Sequence, residues 1–275
     1  LQASRDDLQT PGARFFFEGQ YVTADDAAAG NGLNNVSYRE TTFSPATLSP
    51  MLTGDTIEQT PAIYAWADAD PEVFVAEALA PDGGRYIVAS RAYPFDTGEW
   101  RYEYAVYNQN SDRNAMKFEA PHQGRTDFPR AFDLGFHDVD YHSGEPVDGT
   151  DWAGVEALFD ARWEVVPPAP LAALPNEIRW GTLYNFGFSS FDPPVLSTVR
   201  VTLSGSAGPA ESIDIPALAA GAAHCSDADF AQPYYVLDLA DIQTYIGLFN
   251  AGSPGADIVE PLGVQHRRDH IDRIR

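Results

Sequence analysis

The chain is short of basic residues, of cysteine and of long apolar runs, and each shortage narrows what it can be. Against 40 aspartates and glutamates stand 17 lysines and arginines, a net charge of −23. A field of that sign repels phosphate backbones, so no nucleic-acid partner is expected. Lysine is nearly absent; Lys117 is the single one, which reads as base composition of the gene. Cys225 is the only cysteine, so no disulfide can close within the chain. No stretch approaches the roughly 18 consecutive apolar residues of a membrane helix, and no membrane span is expected. The first residues, from Leu1, hold no charged-then-apolar leader; a removed signal peptide or an incomplete start is the expectation there. Also missing are the Gly-x-Ser-x-Gly elbow, the phosphate-cradling glycine loop, and any base beside Cys225. Glycoside hydrolysis needs two carboxylates at a set separation, but among 40 acids a pair can always be found, so that pattern discriminates nothing. The balance leans away from an enzyme.

What is present is material for a core. Hydrophobic residues make up 44% and aromatics 12%, enough for one large β domain with a small appendage. From Arg14 to about Ser204, short aromatic and β-branched stretches alternate with Gly, Pro, Asn and Asp. Strands are predicted at Arg14–Thr23, Pro71–Ala78, Arg85–Arg91, Trp100–Tyr107, Asn176–Ser189 and Thr198–Ser204. In Trp100–Tyr107 the residues Trp100, Tyr102, Tyr104 and Val106 share one face, and Arg101, Glu103 and Ala105 the other. Farther on, Ile178, Trp180, Tyr184, Phe186 and Phe188 are expected to face one way. Asp96-Thr97-Gly98 and Pro81-Asp82-Gly83-Gly84 supply hairpin turns. Pro121–Arg130 and Asp138–Thr150 read as long loops. The fold class implied is mainly β: an antiparallel β-sandwich over residues 1–205, with a barrel as the second choice. Residues 206–224, rich in Ala, Gly, Ser and Pro, read as a linker, apart from a short Ser212–Ile215 run able to pair.

The C-terminal stretch from residue 225 to 275 repeats itself. Ala228-Asp-Phe-Ala-Gln-Pro-Tyr-Tyr-Val236 recurs 28 residues on as Ala256-Asp-Ile-Val-Glu-Pro-Leu-Gly-Val264, with four of nine positions identical. Leu237-Asp-Leu-Ala-Asp241 then leads into Ile242, Tyr245, Ile246 and Phe249, whose spacing places them on one face of a short helix that Gly252 and Pro254 break. A loop with spaced carboxylates ahead of an amphipathic helix is half of an EF-hand, and hard cations need such oxygens. Asp229, Asp238 and Asp241 suit the first, ninth and twelfth places of a calcium loop with one extra residue, and Asp257 opens the second copy. The segment, about residues 225–264, resembles a GC-type dockerin, an α-helical module of two tandem calcium loop–helix units. The resemblance implies calcium binding, a cohesin-like protein partner, and anchoring in an extracellular assembly. Three features depart from that pattern. Ala231 and Pro233 stand where a loop would offer oxygens, Tyr235 replaces a glycine, and from Gln265 the tail turns basic, with four of the 16 arginines in its last eleven residues. A reading-frame slip or truncated gene is the expectation for that tail, with a basic partner-binding tail as the alternative.

In the larger part, Glu103–Arg113, Gly135–Pro146 and Asn176–Phe186 resemble an uncharacterised family of secreted proteins that often carry this kind of module. The resemblance implies export and no activity. Its second segment holds the densest set of ligand-type side chains, His137, Asp138, Asp140, His142 and Glu145, a candidate ligand or metal loop without helical His spacing to strengthen it. Trp152 and Asp151 are a candidate wall of a sugar site, with buried core as the plainer reading of the tryptophan. Asn35-Val-Ser37 fits a glycosylation acceptor. The function expected is a non-catalytic, secreted, structural or adhesive β-sandwich protein, extracellular or surface-attached and docked through its C-terminal module. The alternative is a carbohydrate-active protein with polysaccharide as partner, either a binding module or an unrecognised hydrolase or lyase.

Overall fold

The computed structural model describes residues 5–122, 131–138, 146–157, 159–168, 174–204, 210–221 and 239–250. The chain divides into two compact units, Leu1–Gly221 and Ala222–Arg275. The first unit opens with β1 (Phe15–Gln20), α1 (Ala24–Ala28), β2 (Val36–Phe43), β3 (Pro50–Leu52) and α2 (Tyr64–Ala69). It continues with β4 (Phe74–Leu79), β5 (Arg85–Pro94), β6 (Trp100–Asn108), β7 (Ala115–Pro121) and β8 (Phe132–His137). β9 (Ala153–Glu156), β10 (Asp160–Glu164), β11 (Thr182–Ser190), β12 (Pro194–Leu203) and β13 (Glu211–Ala220) complete it. In the second unit the described element is α3 (Leu239–Asn250).

The strands form two five-stranded antiparallel sheets, ordered β4-β5-β6-β11-β8 and β13-β12-β7-β10-β9, and a small sheet β1-β2-β3. The two large sheets share one core. Tyr102, Tyr104 and Val106 of β6 and Tyr184, Phe186 and Phe188 of β11 meet Phe118 of β7, Trp163 of β10 and Val199 and Val201 of β12. Rings dominate the contacts: Tyr102 stacks on Phe188 at 4.9 Å and Phe118 meets Phe186 at 4.8 Å. Each such side chain, fully buried, contributes about 1.5–3 kcal/mol. Both predicted hairpin turns are present: Gly98 N–H donates to Phe95 O, and Gly83 N–H to Ala80 O, joining β5 to β6 and β4 to β5.

The alternation on β6 is as expected, but the opposite face is not solvated. Ala105 and Tyr107, with Ile87 and Ala89 of β5, lie under Ile63 and the first turns of α2 in a second cluster. The central strands are thereby buried on both faces. Trp180 departs from its predicted face. It precedes β11, where Gly181 at φ +71° turns the chain, and its half-exposed indole donates to Gln20 Oε1 at 2.9 Å. The alternation that places Tyr184 inside begins only after that turn.

Residues 211–220, expected within the linker, form β13 and pair with β12 through ten residues. Ile213, Ile215, Ala217 and Ala219 point inward, and the small side chains let this edge lie against the facing sheet. The N–H of Leu218 donates to Ser90 Oγ at 3.0 Å, and its carbonyl accepts from Tyr104 Oη at 2.8 Å. Because Leu218 N–H points away from β12, that of residue 216 would too, so Pro216 costs the ladder nothing. Other core tyrosines do similar work: Tyr86 donates to Arg113 O at 2.6 Å and Tyr102 to Asp192 O at 2.6 Å.

Candidate functional site

Of the predicted ligand loop, His137 and Asp138 fall among the described residues; Asp140, His142 and Glu145 lie outside them. His137 ends β8, in register with Asn185, with its side chain exposed. Its neighbour Phe136 points inward, between Trp152 and Tyr184. Asp138 is half-buried and accepts from Asn176 Nδ2. Asn176, itself buried, also donates to Thr150 O at 3.2 Å and accepts from Tyr184 Oη at 2.7 Å, while its carbonyl takes the Trp152 indole N–H. Burial, and after it the charge of Asp138, pushes the Tyr184 hydroxyl up. Asp138 thus ties a loop to a buried amide. Trp152 is 3% exposed and belongs to the core, which removes it as a sugar platform; Asp151 beside it is exposed.

Among the calcium candidates, Asp229, Asp238 and Asp257 lie outside the described residues, and Asp241 sits in α3 with its side chain outside them. The helix expected after Leu237 is α3, with Ile242, Ile246 and Phe249 exposed along it. Among the described residues no three His, Cys, Asp or Glu side chains converge as a metal would require. Asn35 of the glycosylation pattern has its amide in use: Nδ2 donates to Tyr21 O at 2.8 Å.

The sequence did not single out the outer face of the β13-β12-β7-β10-β9 sheet. Strict alternation builds it: Val199, Val201 and Leu203 turn inward while Arg200 and Thr202 turn outward, and Asp214 does so between Ile213 and Ile215. The ladder register then sets one charge beside its opposite across four strands. Asp214 is opposite Arg200, Arg200 opposite Glu119, and Glu119 opposite Arg162. Arg200 grips Asp214 with two bonds of 2.8 and 3.1 Å. That hydrogen-bonded fork holds the Asp214 carboxyl below its ordinary range and raises Arg200. Lys117, the only lysine, lies 2.8 Å from Glu119 and 3.5 Å from Glu164; Arg162 lies 3.1 Å from Asp160. Across this face runs a shallow groove of about 280 Å³, lined by Glu119, Phe159, Asp160, Thr198, Arg200 and Asp214 among others. The signal for it lay in the Val-Arg-Val-Thr-Leu and Ile-Asp-Ile alternations, but which charges meet is a matter of register.

No protein family matches the chain, and no curated protein is significantly similar to it.

Proposed function

We propose that the protein is a non-catalytic extracellular β-sandwich protein, structural or adhesive in role, held to a surface or complex through its dockerin-like C-terminal repeat. The observation that carries the non-catalytic part is the direction in which its carboxylates are displaced. Hydrolysis by paired carboxylates needs one acid kept protonated near neutral pH by a raised pKa. Four carboxylates, Glu40, Asp70, Asp82 and Asp214, are displaced downward. A hydrogen bond from Arg14 does this to Glu40, from Arg91 to Asp70 and from Arg200 to Asp214. In Asp82, burial pulls upward but donors from Gly84, Ser111 and Asp112 outweigh it. These acids stay ionised and hold structure.

The tether reading is supported by the doubled Ala-Asp…Pro…Val motif and by the helix α3, which follows the first copy of that motif in the chain. Calcium is its ion and a cohesin-like protein its partner. Two measurements on the full chain test the proposal. Incubation with a panel of soluble and insoluble polysaccharides should release no reducing ends or unsaturated products above a heat-denatured control. Calorimetric titration with calcium should give a heat that prior chelation and a saturating calcium load both abolish. Product release sinks the non-catalytic role, and a flat calcium titration sinks the tether.

A further inference from the structure

We infer that the groove on the outer face of the β13-β12-β7-β10 sheet is a binding subsite for an uncharged polyhydroxyl ligand, a short stretch of neutral polysaccharide. The inference rests on the reading of the protein as non-catalytic and adhesive, and it adds the ligand class and the place. Its first support is Phe159. The ring is 69% exposed, whereas the two aromatics within this sheet's strands, Phe118 and Trp163, are buried in the core. Its backbone is anchored. Phe159 lies in the tight connection from β9 to β10, closed by Ala157 N–H to Asp160 O at 2.8 Å, and its own carbonyl accepts from His122 N–H at 3.0 Å. An aromatic ring at the edge of a groove, carried on an anchored backbone, offers a flat apolar surface to the C–H face of a sugar ring.

The chemistry of the floor excludes the other classes. A cationic ligand would have to compete with Arg200 for Asp214, with Lys117 for Glu119 and with Arg162 for Asp160, all already within ion-pair distance. An anionic ligand meets three carboxylates against one guanidinium in the lining, on a chain of net charge −23. A bound metal ion needs convergent ligands, and the described carboxylates do not converge. Hydroxyl groups have none of these difficulties. Each donates to a carboxylate oxygen and accepts from a guanidinium N–H, so a row of hydroxyls can bridge the existing pairs without breaking them. The exposed hydroxyl of Thr198 adds a further donor and acceptor. At about 280 Å³ the groove is slightly smaller than the roughly 300 Å³ where ligand pockets begin, which suits a short stretch of chain lying along an open face.

The test is affinity electrophoresis of the full chain through native gels containing neutral polysaccharides of differing linkage, among them β-glucan, xylan and mannan. The wild type should be retarded by at least one, with retardation insensitive to added salt. Phe159→Ala should weaken that binding roughly five- to ten-fold, the scale of one aromatic contact. Tyr21→Ala removes an equally exposed ring from β1's end, on a different sheet, and should leave retardation unchanged. The same unfolding temperature in both variants and the wild type assigns any loss to the surface. Equal migration of Phe159→Ala and wild type, retardation that salt abolishes, or no retardation in any gel each overturns the groove assignment. Product release in the hydrolysis assay counts against the non-catalytic reading instead and leaves the groove where it is.

Discussion

Replacing Tyr104 by phenylalanine isolates the bond that holds the last strand of the first unit. The ring is buried, packs on Phe118 at 5.3 Å and stacks on Phe188 at 6.2 Å, and none of this changes in the variant. What is lost is the hydroxyl that donates to Leu218 O at 2.8 Å. Among the named strands of the described residues β13 has β12 as its neighbour, and Leu218 turns its N–H and carbonyl away from β12, so that carbonyl takes no ladder bond from it. An intramolecular hydrogen bond is worth about 1 kcal/mol net, and leaving its acceptor unsatisfied adds to the loss, so a destabilisation of about 1–2 kcal/mol is expected. For a unit of this size that corresponds to a fall in Tm of about 2–8 °C. Ser90→Ala removes the donor's counterpart on the same residue, since Leu218 N–H donates to Ser90 Oγ. The two act on one peptide segment, so the double variant should lose less than the sum by about 0.5 kcal/mol or more. Urea unfolding followed by circular dichroism measures all four proteins. A Tyr104→Phe midpoint within about 0.5 kcal/mol of wild type would refute the reasoning, because that is the range of an ordinary surface change.

Three other outcomes follow from the same structure. Gly187 stands under the Arg101–Glu103 ion pair, and a methyl group there would come within 2.6 Å of both and 2.9 Å of Tyr102 O; Gly187→Ala should cost about 1–3 kcal/mol in urea unfolding. Asn176→Ala strips partners from Tyr184 Oη and Asp138 at once and should destabilise by about 2–3 kcal/mol, with loss of the near-ultraviolet dichroism of Trp152 and Tyr184. Burial holds the buried tyrosines in the neutral form, Tyr38 and Tyr64 being pushed up to about 12 and Tyr86, Tyr102, Tyr104 and Tyr107 higher still. In the unfolded chain they ionise near pH 10, so this stabilisation is complete below about pH 10 and is lost as pH rises through the folded values. Unfolding midpoints should therefore fall steeply above about pH 10, with tyrosinate absorbance appearing together with unfolding; tyrosinate appearing fully in the native state would contradict it.

Period-two patterning was enough to place β1, β4, β5, β6, β11 and β12, and the Asp-Thr-Gly and Asp-Gly-Gly turns were enough to join β4, β5 and β6 into hairpins. These are local properties: which way a side chain points in a strand, and where the backbone can reverse, depend on a few neighbouring residues. The sequence alone also set the acidic balance, the lack of any intrachain disulfide and the 28-residue repeat. It did not reveal β13, because Ala, Gly, Ser and Pro resemble a linker until a facing sheet supplies Ser90 and Tyr104 to its edge. The second apolar layer was hidden for a related reason: α2 has six residues, too few to show a helical period, and Ala105 and Tyr107 become core only because it lies over them. That Asp138 meets a buried amide was not legible either, because Asn176 lies 38 positions away in the chain. The charge-paired groove belongs entirely to the tertiary structure. Arg200, Glu119, Arg162 and Asp214 are ordinary outward residues on four strands, and only the register of those strands decides which charges are neighbours and what lies between them.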